Sequence, residues 1–133
     1  MAYPTQYRYT KEHEWIDVQG DIATIGITDY AQHELGDVVF VELPAVGATL
    51  TTGKTFGSIE SVKAVSEIFA PTGGQVTETN TTLQNKPETV NTDPHGAAWL
   101  VKIKLADPAE INSLMDAAAY QAFIDEKQKE ASA

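Results

Sequence analysis

The feature that most limits how this chain can fold is its repeated short β-branched runs, each closed by a glycine or proline turn. "EWIDV" (14–18) and "IATIGI" (22–27) stand either side of "QGD", the pattern of a hairpin closed by a glycine-containing turn. Thr28 is placed to cap a short helix over "DYAQHEL" that stops at Gly36. "DVVFVEL" (37–43) reads as a buried strand stopped by Pro44, and "VGATLTTGK" holds two glycine turns. Runs 54–61 and 64–70 follow, then the breaker Pro71-Thr72-Gly73-Gly74, strand rhythm over 75–80 and a turn at "NKPE". In "WLVKIKL" (99–105), Trp99, Val101, Ile103 and Leu105 alternate with Lys102 and Lys104, as in a half-buried strand. Strand after strand at short spacing predicts a mainly β sandwich or small barrel.

The C-terminal part changes period. Asp107 suits an N-cap, Pro108 the first helical position and Glu110 the capping box. Ile111, Leu114, Met115, Ala118, Ala119, Ala122 and Phe123 then fall at helical spacing, with Asp116 a second capping point. One or two amphipathic helices over about 107–129 are expected on the β-core, with the last residues, "DEKQKEASA", fraying. A faint echo links "ATLTTGK" (48–54) to "TTLQNK" (81–86), which suggests two similar sheets facing each other with the 62–63 turn at one end.

A length of 133 residues predicts a single domain spanning 1–133. The net charge of −10 argues against nucleic acid or an anionic membrane surface, since their phosphates would be repelled. Without cysteine the chain has no disulfide and no thiolate metal site, so any sulfur chemistry must come from a cofactor. No apolar run is long enough to span a bilayer, and the N-terminus reads as neither signal nor transit peptide, which predicts a cytoplasmic location. His13, His33 and His95 match no metal-ligand spacing and are expected at the surface or facing partners, with "DPHG" around His95 a turn.

Lys63 stands between Val62 and Ala64 at what reads as the tip of a hairpin. Eight lysines occur in the chain, and an exposed turn lysine ordinarily serves solubility alone. A nucleophilic, Schiff-base lysine must lose its proton, whereas Glu60 and Glu67 nearby favour the charged form. An attachment point needs a protruding lysine on a stiff turn with small or compact uncharged neighbours, and Ser61, Val62 and Ala64 meet that need.

"GSIESVKAVSEIFAPTGG" (57–74) resembles the lipoyl-lysine hairpin of the glycine cleavage H-protein family, and Val62-Lys63-Ala64 fits it better than biotin carriers or 2-oxoacid dehydrogenase lipoyl domains. "YTKEHEW", "ATIGITDYAQ", "LGDVVFVELP", "GGQVTETN", "NKPETVN" and "GAAWLVKIK" extend the resemblance over about residues 7–124. The chain departs from the family at His95, where a tyrosine is common, and at Ala98, where glycine is.

The resemblance implies a lipoyl/biotinyl-carrier-like barrel-sandwich hybrid of two antiparallel sheets, with an N-terminal hairpin, a short helix near 29–35 and C-terminal helices. It implies lipoic acid in amide linkage to Lys63. It also implies a shuttle role, carrying an aminomethyl group from a pyridoxal-phosphate glycine decarboxylase to a tetrahydrofolate-dependent aminomethyltransferase, and electrons to an FAD-containing dihydrolipoyl dehydrogenase. The chain would then be a monomeric carrier and not itself an enzyme. A sheltering cleft near "EHEW" and "ITDYAQHEL" would offer Glu14, then Glu67 and Glu12, to an ammonium group, with Ile27, Ala31 and Leu35 as its apolar wall. Glu60 is a candidate handle for the lipoate-attaching enzyme. Relay of octanoyl or lipoyl groups to other proteins, a lysine-dependent enzyme and a plain interaction module stand as alternatives.

Overall fold

The computed structural model describes residues 3–132, with side chains described through Lys129. Among the described residues, nine strands form two antiparallel sheets. The larger contains β1 (Arg8–Tyr9), β2 (Glu14–Gln19), β3 (Ile22–Ile27), β9 (Val101–Leu105), β8 (Gly74–Thr79) and β5 (Thr49–Leu50), in that spatial order. The smaller contains β4 (Val38–Glu42), β6 (Thr55–Ser61) and β7 (Val65–Phe69). The expected hairpin is β2–β3, with Gly20 at φ 66° in its turn.

Alternation decides what each strand buries. In β9, Val101, Ile103 and Leu105 point inward while Lys104 is exposed. They join Ile16, Ile25, Val76 and Ile111 in one core cluster; a second is built from Ile27, Val41, Ile59, Ile68, Leu83 and Leu100. Phe56 packs against both. β2 is covered on both faces: Ile16 and Glu14 lie on one, while Trp15 turns to a third cluster with Tyr9, Tyr120 and Ile124. That two-sided cover is what buries a glutamate.

Helix α1 (Asp29–Leu35) has the expected boundaries, with the Thr28 side chain accepting from the Ala31 N–H and Gly36 following at φ 79°. Other expectations are corrected. β4 is an edge strand with a bulge between Val38 and Phe40, so Val39 and Phe40 are 48% and 50% exposed where a buried strand was expected. The sheets, of six and three strands, are unequal, and the second half of the 48–54/81–86 echo is the short helix α2 (Thr82–Asn85). Only the first contains a strand. A further short helix, α3 (Thr89–Thr92), follows the "NKPE" turn.

Asp107 caps a 3-10 helix over Pro108–Ser113, and Asp116 accepts from the Ala119 N–H at the start of helix α4 (Ala117–Ser132). The packed face of α4 is Tyr120 and Ile124 flanked by Ala117 and Phe123; Ala118, Ala119 and Ala122 of the expected stripe are exposed. Aromatic stacking sets this register, with Tyr120 stacked on Tyr9 at 4.8 Å and 10°. The helix continues to Ser132 where fraying was expected, and Ala133 lies outside the described residues.

Gly26 pairs with Trp15 across β2–β3, and a Cβ there would lie 2.5 Å from the indole ring. Gly26→Ala is therefore expected to destabilise the fold by about 1–3 kcal/mol through overpacking, read as a lower urea midpoint at unchanged slope. An unshifted midpoint would show that the Trp15 ring is free to move.

Candidate functional site

β6 and β7 meet in a four-residue turn, Ser61–Ala64. The Ser61 N–H donates to the Ala64 carbonyl at 2.8 Å, and the Ser61 hydroxyl oxygen accepts from the N–H groups of Lys63 and Ala64 at 3.3 and 3.1 Å. The turn is also fastened from below, where the Val62 N–H donates to the Asp37 carbonyl at 3.0 Å. Asn91 of α3 holds that lower segment: its side-chain amide donates to the Gly36 carbonyl and to Gln32, and its Oδ1 accepts from the Val38 N–H at 2.9 Å. The lysine stem passes over Gly36, where a Cβ would meet Lys63 Cε at an ordinary contact distance of 3.5 Å and where the φ of 79° is what favours glycine. Above this base Lys63 is exposed, as are Val62 and Val65 at 70% and 66%. Among the described residues no ion pair involves Lys63. The backbone is stiff and the side chain is open.

Beside the turn lies a cavity of about 300 Å³ between β7, α1 and the 12–14 segment. Glu12, Glu14, Ile27, Ala31, Leu35 and Glu67, all expected from the sequence, line it together. Glu60 does not: it is exposed on β6, paired in register with Phe40 and Val65. The wall also includes His13, Glu34 and Ile68, which the sequence reading missed. Helical spacing carried the signal for Glu34, three residues from Ala31 on α1. For His13 the signal was its place between Glu12 and Glu14, while its contact with Tyr120, 107 residues on, was not legible locally.

Glu14 is only 2% exposed. The Thr10 hydroxyl donates to its Oε1 at 2.6 Å and the Phe69 N–H to its Oε2 at 3.3 Å. Burial raises its pKa from 4.5 to about 7 against the pull of these two bonds, and the Glu12 charge adds to the rise. Once ionised, a buried carboxyl oriented by two donors in an apolar-walled cleft has the chemistry to accept a charge-assisted hydrogen bond from a cationic group. Glu67 is exposed at the opposite wall and accepts from the Thr55 hydroxyl at 3.4 Å.

Two histidines are inside, contrary to expectation. His95 is buried in its turn, and its Nε2 accepts the Asp29 N–H at 3.0 Å, adding to the Thr28 cap at the start of α1. Burial holds its pKa below the usual imidazole value. His13 is half-buried at φ 72°, with Nδ1 2.7 Å from the Tyr120 hydroxyl. His33 is exposed, as expected.

The fold and site together are a two-sheet β-core with an outward lysine turn beside a cleft that holds a buried acid. Residues 7–127 match the family described as glycine cleavage H-protein. The chain is 59% identical over 127 residues to a glycine cleavage system H protein of Acidobacterium capsulatum, covering 96% of this chain and 98% of that one. It is 53% identical to the H protein of Bacteroides thetaiotaomicron over 94% and 99% of the two chains. The crystal structure of a glycine cleavage system H protein from Mycobacterium marinum superposes with a TM-score of 0.83 at 40% identity, over 90% of this chain and 97% of that one. The chain belongs to the glycine cleavage H-protein family, the lipoyl-bearing shuttles of the glycine cleavage system.

The Glu14 shift has a sign that can be tested. Unfolded Glu14 ionises near 4.5 and folded Glu14 near 7, so between these values the folded state binds more protons and stability falls as pH rises. Glu14→Gln is expected to remove that slope, gaining on the wild-type chain by about 2–3 kcal/mol between the two pH limits. Denaturant titrations across that window measure it; parallel curves would contradict the burial of a titrating acid.

Proposed function

We propose that Lys63 is the attachment point for lipoate and that the Glu14 cleft receives the far end of the arm. The observation that carries this reading is the juxtaposition of the open Lys63 turn with a cleft whose buried floor is a carboxyl group. Ile27, Ala31, Leu35 and Ile68 give the cleft an apolar side that fits a hydrocarbon chain and a dithiolane, and Lys63 is free to accept an acyl group. When bound, lipoate supplies a two-electron disulfide whose sulfur can bear a one-carbon amine.

The protein's own part is shelter. The apolar wall keeps water from the end of the arm. Glu14 accepts a hydrogen bond from a cationic amine, held ready by Thr10 and the Phe69 N–H. In an empty cleft near neutral pH, Glu14 is divided between its acid and carboxylate forms; a cation releases the remaining proton to solvent and fixes the carboxylate. Glu67 and Glu12 extend the same sign of charge to the mouth.

In this reading the chain is a single-domain carrier and not an enzyme. It visits the glycine decarboxylase, the aminomethyltransferase, the dihydrolipoyl dehydrogenase and the lipoate-attaching enzyme in turn, which suits a cytoplasmic monomer making small, transient contacts. Among the described residues no helix is long and apolar enough to cross a membrane. Glu60, exposed three residues before the lysine, is the handle for the attaching enzyme.

Intact-mass analysis of protein from the native host is expected to show one lipoyl addition, mapped by digestion to Lys63 and absent from Lys63→Arg. In the same assay with purified attaching enzyme, Glu60→Ala gains the group more slowly than wild type. An unmodified Lys63 in a host whose glycine cleavage still runs through this chain would sink the attachment reading.

A further inference from the structure

Tyr120 of α4 is fully buried, and its hydroxyl lies 2.7 Å from both Thr28 Oγ1 and His13 Nδ1. Thr28 fixes the direction of this chain of hydrogen bonds. Its Oγ1 already accepts the Ala31 N–H at 3.2 Å, and Thr28 is wholly buried. Among the described residues its own hydrogen has one acceptor, the Tyr120 oxygen. Leaving that hydrogen unspent would bury an unsatisfied donor. Thr28 therefore donates to Tyr120, and Tyr120 donates to His13 Nδ1. The imidazole is then neutral, with its single proton on Nε2.

His13 lines the same cleft as Glu12, Glu14 and Glu34. Its left-handed backbone is held by its N–H donating to the Thr10 carbonyl at 3.1 Å and by its carbonyl accepting from the Thr28 N–H at 3.0 Å. We propose that Tyr120 is a positioning residue for the cleft: its hydroxyl fixes the neutral Nε2–H form of His13. The wall beside the carboxylates then carries no positive charge to compete with a cationic cargo. The part played by cargo rests on the reading of the cleft given above. Through Tyr120, the C-terminal helix, which contributes no residue to the cleft wall, sets which nitrogen of the wall's imidazole carries the proton.

The groups facing His13 act in both directions. Burial, and after it Lys127 of α4, oppose an imidazolium, whereas Glu34 of α1 favours it, as do Glu12 and Glu14 by sign alone on its own segment. The Tyr30 ring of α1 lies 4.6 Å away and the Phe123 ring of α4 5.9 Å, both uncharged. The net result is a pKa lowered to about 4.

Imidazole nitrogen NMR on the full chain reads the tautomer directly. Wild type is expected to show His13 as Nε2–H throughout the neutral range; an Nδ1–H pattern there overturns the proposal without any variant. In Tyr120→Phe both tautomers are expected, with the His13 midpoint raised by about one pH unit, because the lost bond favoured the neutral form. At about pH 5, with the variant's His13 then roughly half charged, the loaded carrier's lifetime in water is expected to fall about twofold below wild type. Tyr9→Phe is the control: it deletes a hydroxyl from the ring stacked on Tyr120, one that donates to the Pro4 carbonyl, and is expected to leave His13 unchanged. Unchanged tautomer and midpoint in Tyr120→Phe overturn the proposal. Glu14→Gln separates the two readings: an unchanged loaded lifetime there sinks the cargo cleft, while the His13 tautomer still decides the role of Tyr120.

Discussion

The rest of this structure depends on the fastening of one backbone amide, the Val62 N–H, to the Asp37 carbonyl. A hairpin tip is ordinarily the loosest part of a β-protein, since its backbone has solvent on most sides. Here the tip is tied to the segment after α1, and that segment is tied by Asn91 to both Gly36 and Val38. One half-buried amide side chain thus joins α1, α3 and the edge of the smaller sheet. In the proposed reading, a modifying enzyme and several partners would meet the turn in a fixed orientation, with little entropy lost on docking.

The same arrangement decides where the cleft can be. α1 starts at Thr28, whose side chain caps it, and ends at Gly36 under the lysine. Its inner face, Ala31 and Leu35, therefore forms one wall of the cleft that opens beside the turn. β2 supplies the floor. Covering both of its faces excludes water from Glu14, and that exclusion gives the carboxyl group its raised pKa. An unpaired buried acid weakens the empty fold, and a cation entering the cleft offsets that cost.

Much of this was legible in the sequence because the controlling signals are local. Thr28 and Gly36 bound α1, the glycine turn sets β2–β3, and the alternation in 101–105 states which face is inside. The cleft residues Glu12, Glu14, Ile27, Ala31, Leu35 and Glu67 followed from the family resemblance, and the geometry brings them together. Non-local contacts were not legible. The face α4 buries is chosen by the Tyr9 and Tyr3 rings that Tyr120 meets, so the exposed alanines misled a reading based on period alone. His13 and His95 are drawn inside by partners far along the chain, Tyr120 and Asp29. β4 looked like a buried strand because Val39 and Phe40 are apolar, yet it lies at a sheet edge beside the lysine turn.

The central claim, that the lysine stands on a rigid bend, is tested most directly by backbone amide relaxation across residues 55–69. The account expects the order parameters of Ser61, Val62 and Ala64 to match those of β6 and β7, at about 0.85. Values below about 0.6 at the tip, with rigid strands on either side, would contradict it.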